Sequence, residues 1–64
     1  MEAYKERVIA EKDELDGKIE KLHMFIGSEV FDGVSLEEQK RMCRQELIMQ
    51  LYSDVLTDRI FAFT

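Results

Sequence analysis

The chain has no proline, no tryptophan, one cysteine, one histidine and only three glycines in 64 residues. Without proline every residue keeps its backbone donor, so nothing forbids long unbroken helices. The lone Cys43 cannot close an internal disulfide, which points to a reducing compartment. With only His23 beside it, a zinc site lacks ligands within one copy. A Cys43/His23 nucleophilic pair would lack an evident third group to orient it, and no Asp-x-Asp calcium loop is present. No metal, no cofactor and no enzymatic activity are therefore expected.

Long apolar runs are also missing. None approaches the ~20 residues that a bilayer span requires. Residues 1–7 are charged and lack the apolar stretch of a secretory leader, so neither a membrane nor an export route is expected. A formal net charge of −5 argues against sequence-independent binding to a nucleic-acid polymer, which favours a basic surplus. Yet 45% of the residues are hydrophobic, too many for a disordered chain.

What is present is helical periodicity. Tyr4, Val8, Leu15, Ile19, Leu22, Phe25 and Ile26 form an apolar stripe, with charged residues on the other faces, predicting a helix over residues 2–26. Glu14 and Lys18 add a favourably ordered pair one turn apart, whereas Gly17 weakens the middle of the helix. Gly27 suits a left-handed C-terminal cap. A connection over residues 27–35 follows, in which Asp32-Gly33 marks a turn and Val30, Phe31 and Val34 are expected to fold back. Ser35-Leu36-Glu37-Glu38 reads as a capping box, in which each of Ser35 and Glu38 satisfies the other's amide. It opens a second helix over residues 36–60. There Met42, Met49, Leu56 and Phe63 recur every seven residues, and Leu47, Ile48, Leu51 and Val55 make a second stripe.

The expected fold is all-α: one domain over residues 1–64, a two-helix antiparallel hairpin. Folding about residue 31 or 32 would bring Leu22 to Met42, Lys18 to Gln45, Leu15 to Met49, Glu11 to Tyr52, Val8 to Leu56 and Tyr4 to Arg59. Two helices enclose little core, and a chain of this size is marginal even when compact. The second stripe needs a cover. A homo-oligomer, dimer or tetramer, forming a helical bundle is therefore expected.

Polar residues fall at positions where an apolar side chain would pack better: Glu11, Lys18, Gln45, Tyr52 and Arg59. Buried unpaired, such groups would be costly. Pairs such as Glu11–Tyr52 or Lys18–Gln45 could fix the register. Alternatively these residues line a ligand cavity between hairpins, with cations for phosphate, an amide for a base edge and an aromatic for stacking. Lys40, Arg41 and Arg44 form either a solvated face or a phosphate site. Arg7 and Arg59, near Tyr4, make a second candidate anion site. The acidic first helix offers a surface for a basic protein.

The run Tyr4-Lys5-x-Arg7-Val8-Ile9-x-Glu11-Lys12-x-Glu14-Leu15, followed by Lys18-Ile19, Lys21-Leu22 and Phe25-Ile26, opens a longer pattern. It continues through Phe31, Ser35-Leu36-x-Glu38-Gln39, Gln45, Met49, Tyr52, Leu56 and Arg59-Ile60. Over nearly the whole chain it resembles a family of short helical phage proteins related to a small protein of a crAss-like phage. By analogy with the anti-CBASS and anti-Thoeris sponges, small oligomeric phage proteins that hold nucleotide signals of bacterial immunity, the resemblance implies a role. That role is sequestration of a cyclic nucleotide, without cleavage, in the host bacterial cytoplasm. The ligand-binding candidates are Tyr4, Arg7, Lys18, Gln45, Tyr52 and Arg59. The alternatives are inhibition of a host defence protein through the acidic helical face, and a structural helical oligomer.

Overall fold

A computed structural model describes residues 2–63. Three helices follow one another: α1 (Ala3–Ile26), α2 (Glu29–Asp32) and α3 (Leu36–Phe61), and no strand occurs among the described residues. α1 and α3 lie side by side and antiparallel. Near one end Tyr4 meets Phe63, midway Asp16 meets Ser53, and toward the connection His23 meets Glu46. The result is a rod of 46 × 14 × 13 Å.

The connection over residues 27–35 folds back onto the helix ends, as expected, but it holds a helical turn of its own. Glu29–Asp32 form one helical turn, α2, so the described residues hold three helices instead of two. Gly27 is not left-handed, with φ −82° and ψ 0°, and no residue described has a positive φ. The chain leaves α1 by a right-handed turn in which Ser28 N–H and its hydroxyl both donate to the Phe25 carbonyl. α2 is held from both sides. Phe31 sets its ring edge-on to Phe25 at 6.2 Å, and the Gln39 amide donates to the carbonyls of Phe31 and Val34. Phe31 and Val34 are half-buried, but Val30 is exposed.

At the start of α3, half of the capping box forms. The Ser35 hydroxyl accepts from the Glu38 amide at 3.3 Å. The Glu38 carboxylate turns forward to the Arg41 guanidinium at 2.7 Å instead of back to Ser35. That exchange replaces a carboxylate–amide bond by an ion pair within the first turns of α3.

The core is small. Val8, Leu15 and Leu56 are buried, and Ile19, Met49, Ile60 and Phe63 pack around them. Because α3's first turn is spent on α2, the seam between α1 and α3 slips from the expected register. Tyr4 meets Phe63 edge-on, about one turn beyond Arg59. The second stripe of α3 receives no cover: Leu47, Ile48, Leu51 and Val55 remain 61, 57, 56 and 54% exposed.

Candidate functional site

The seam contains a polar cluster that the sequence did not single out. Ser53, only 2% exposed, sits among the core side chains. Its hydroxyl donates to Asp16 Oδ1 at 2.6 Å and accepts from Lys12 Nζ at 3.0 Å, while Lys12 also donates to Asp16 Oδ2 at 2.8 Å. The three groups close a ring with every partner satisfied, and no buried side-chain polar atom described lacks one. The Lys12 hydrogen bond, then that from Ser53, hold the Asp16 carboxyl below its ordinary value, against a small opposing cost of burial. The hint in the sequence was the spacing of Lys12 and Asp16 together with a serine between Met49 and Leu56; a serine in a helix carries too little signal to be chosen.

Two grooves flank this seam. The larger, about 580 Å³, is walled by Asp16, Glu20 and Glu46 with His23, Cys43 and Leu47. His23 Nδ1 lies 3.0 Å from Glu46. Among the described residues no hydrogen bond joins Cys43 to His23. No group of three or more His, Cys, Asp and Glu described here could hold a metal ion. Three carboxylates make this groove repellent to phosphate and receptive to cationic groups.

The smaller groove, about 220 Å³, brings Lys18 and Tyr52 together with Glu11, Glu14 and Leu15. Lys18 is held by Glu14 at 3.4 Å on a largely exposed face. The expected Glu11–Tyr52 and Lys18–Gln45 bonds do not form among the described residues. Gln45 instead turns along its own helix to the Met49 sulfur at 3.7 Å. Tyr4 lies at the far end, edge-on to Phe63 at 5.9 Å, where Lys5 also stands over the Phe63 ring. Arg7 and Arg59 are exposed and have no ion-pair partner among the described residues. Tyr4 and Lys18 are about 21 Å apart along α1, so the six candidates do not converge within one chain.

The cations fall into two sets. Lys12, Lys18 and Arg41 are each paired with a carboxylate on their own helix, and Lys5 with Glu2 at the N-cap of α1. Arg7, Lys21, Lys40, Arg44 and Arg59 are not paired with any described residue, and all five are exposed. In a chain with more carboxylates than cations, unpaired guanidinium groups are the parts free to take an anion. Among the described residues no helix is long and apolar enough to cross a membrane.

No curated protein and no solved structure matches the chain. A family model does, over nearly its whole length: on that match across residues 2–62, the chain belongs to the Sequestin family.

Proposed function

We propose that this Sequestin is a non-enzymatic sponge of phage origin. It binds a cyclic nucleotide immune signal in pockets shared between subunits of a homo-oligomer and withholds it, intact, in the host cytoplasm. The family name supports holding a molecule, and the carrying observation is the set of unpaired, exposed cations on an otherwise acidic chain, Arg7 and Arg59 among them. The chain's own larger groove is lined by carboxylates, so a phosphate ligand is better served where cations of two copies meet. Tyr52 and Tyr4, 43 and 46% exposed, offer aromatic surface on which a base can stack. Such a site needs only complementarity to the bound ligand, with no group placed to attack it.

A thermal-shift panel of cyclic di- and trinucleotides and cyclic ADP-ribose isomers tests this reading. A ligand at 100 times its Kd adds about 2.7 kcal/mol to the folded state. The bound nucleotide must then be recovered unchanged after denaturation. A flat panel removes the sponge; a hydrolysed nucleotide makes the protein an enzyme.

The acidic groove of Asp16, Glu20 and Glu46 favours a second reading, in which a basic segment of a host defence protein docks there. That reading expects a stoichiometric protein complex, weakened by salt, and no response to any nucleotide.

A further inference from the structure

α3 carries apolar side chains on two nearly opposite faces. The inner set, Met49, Leu56 and Ile60, packs against α1, joined by Phe63 just beyond the helix. The outer set, Leu47, Ile48, Leu51 and Val55, lies roughly 145° around the helix and is more than half exposed throughout. More large aliphatic side chains stand on this outer face than are buried in the core, which has Val8, Leu15 and Leu56. Arg44 and Asp58 lie on the same outer face, one at each end of the stripe, and neither side chain has a partner among the described residues.

The order along that face is self-complementary. Leu47 and Val55 flank Leu51 four residues to either side, and Arg44 and Asp58 flank it seven residues to either side. We infer that α3 packs against α3 of a second copy, antiparallel, about a two-fold axis through Leu51. In that register Leu51 meets its own counterpart, Leu47 meets the partner's Val55, and Arg44 meets the partner's Asp58, twice per interface. Ile48 sits on the same edge as the partner's Val55 and closes the apolar strip. A basic or acidic foreign helix would satisfy only one end of the stripe; a second copy satisfies both. The inference rests on the homo-oligomer of the proposed function and not on its ligand. It adds one consequence for that site: Tyr52 of each copy stands one residue from the axis on a common edge, so the shared pocket is centred on two tyrosines.

Charge reversal tests the register, because Arg44 and Asp58 are about 21 Å apart along one helix and cannot pair within a chain. In sedimentation velocity over the micromolar range, Arg44→Asp and Asp58→Arg should each raise the dimer dissociation constant ~10-fold or more. The double exchange, Arg44→Asp with Asp58→Arg, should restore it to within ~3-fold of the unaltered protein. Circular dichroism at high concentration checks that each variant stays helical, and Leu51→Glu should dissociate the dimer outright. A double exchange that stays as weak as the single ones overturns the register, and an unaltered protein that sediments as one chain overturns the interface. If the dimer behaves as stated while the nucleotide panel is silent, the interface stands and the sponge alone falls.

Discussion

Ser53 reaches across the seam from α3 and donates its hydroxyl to Asp16 on α1 at 2.6 Å, in the driest position that any polar residue described here occupies. The bond joins residues far apart in the chain, and Lys12 completes it from the same helix as Asp16. A leucine in that place would bury more apolar surface but would allow the helices to slide by a turn. The serine accepts only the register in which Asp16 and Lys12 are opposite.

Ser53→Ala should therefore cost about 1–2 kcal/mol, since it leaves Asp16 and Lys12 short of one partner beside an apolar surface. Urea unfolding at neutral pH measures this. A neutral result would mean that water replaces the hydroxyl at no cost.

The acid limb of stability should depend on Asp16. Its folded pKa lies below the ordinary 3.8, so the stabilisation is present above that value and is lost as pH falls through the lower, folded one. The side chain is nearly half exposed, which keeps the effect modest. The stability gap between the unaltered protein and Asp16→Asn should be constant near neutrality and close below pH ~4. Urea midpoints from neutral to strongly acidic pH report it; a gap that widens in acid contradicts the assignment.

Gly17 lies inside α1, and a Cβ placed there would have nothing within 4 Å. Gly17→Ala should raise stability by about 1 kcal/mol through helix propensity alone. Thermal unfolding at several concentrations distinguishes this from an effect on assembly. Destabilisation that appears only at high concentration would place a second copy against Gly17.

Leu56 is 1% exposed and anchors the small core. Leu56→Ala should cost about 2–5 kcal/mol, enough to unfold so thin a chain at low concentration. Loss of the helical dichroism signal on dilution is the expected observation.

For the ligand, Arg59→Ala and Tyr52→Ala should each abolish the nucleotide-induced thermal shift while the oligomer persists. Size-exclusion chromatography with light scattering gives the second readout. Loss of assembly would make these residues structural.

The sequence by itself determined the two long helices. The stripe from Tyr4 to Ile26, the absence of proline and the Ser35 cap are local signals, and α1 and α3 span Ala3–Ile26 and Leu36–Phe61. It also exposed the second stripe of α3, because amphipathicity follows from spacing on a single helix. The register needed the tertiary structure. Whether Tyr4 faces Arg59 or Phe63 depends on how much of the chain the connection consumes, and α2 with the Gln39 clamp set that length. The candidate site divides the same way. Tyr52 shares a groove with Glu11, the neighbour that cross-helix spacing gave it, and also with Lys18, whereas Gln45 turns to Met49 and the seam is closed by Lys12, Asp16 and Ser53. Periodicity tells a helix which face to bury; only the packed partner decides how far along that face the two helices stop.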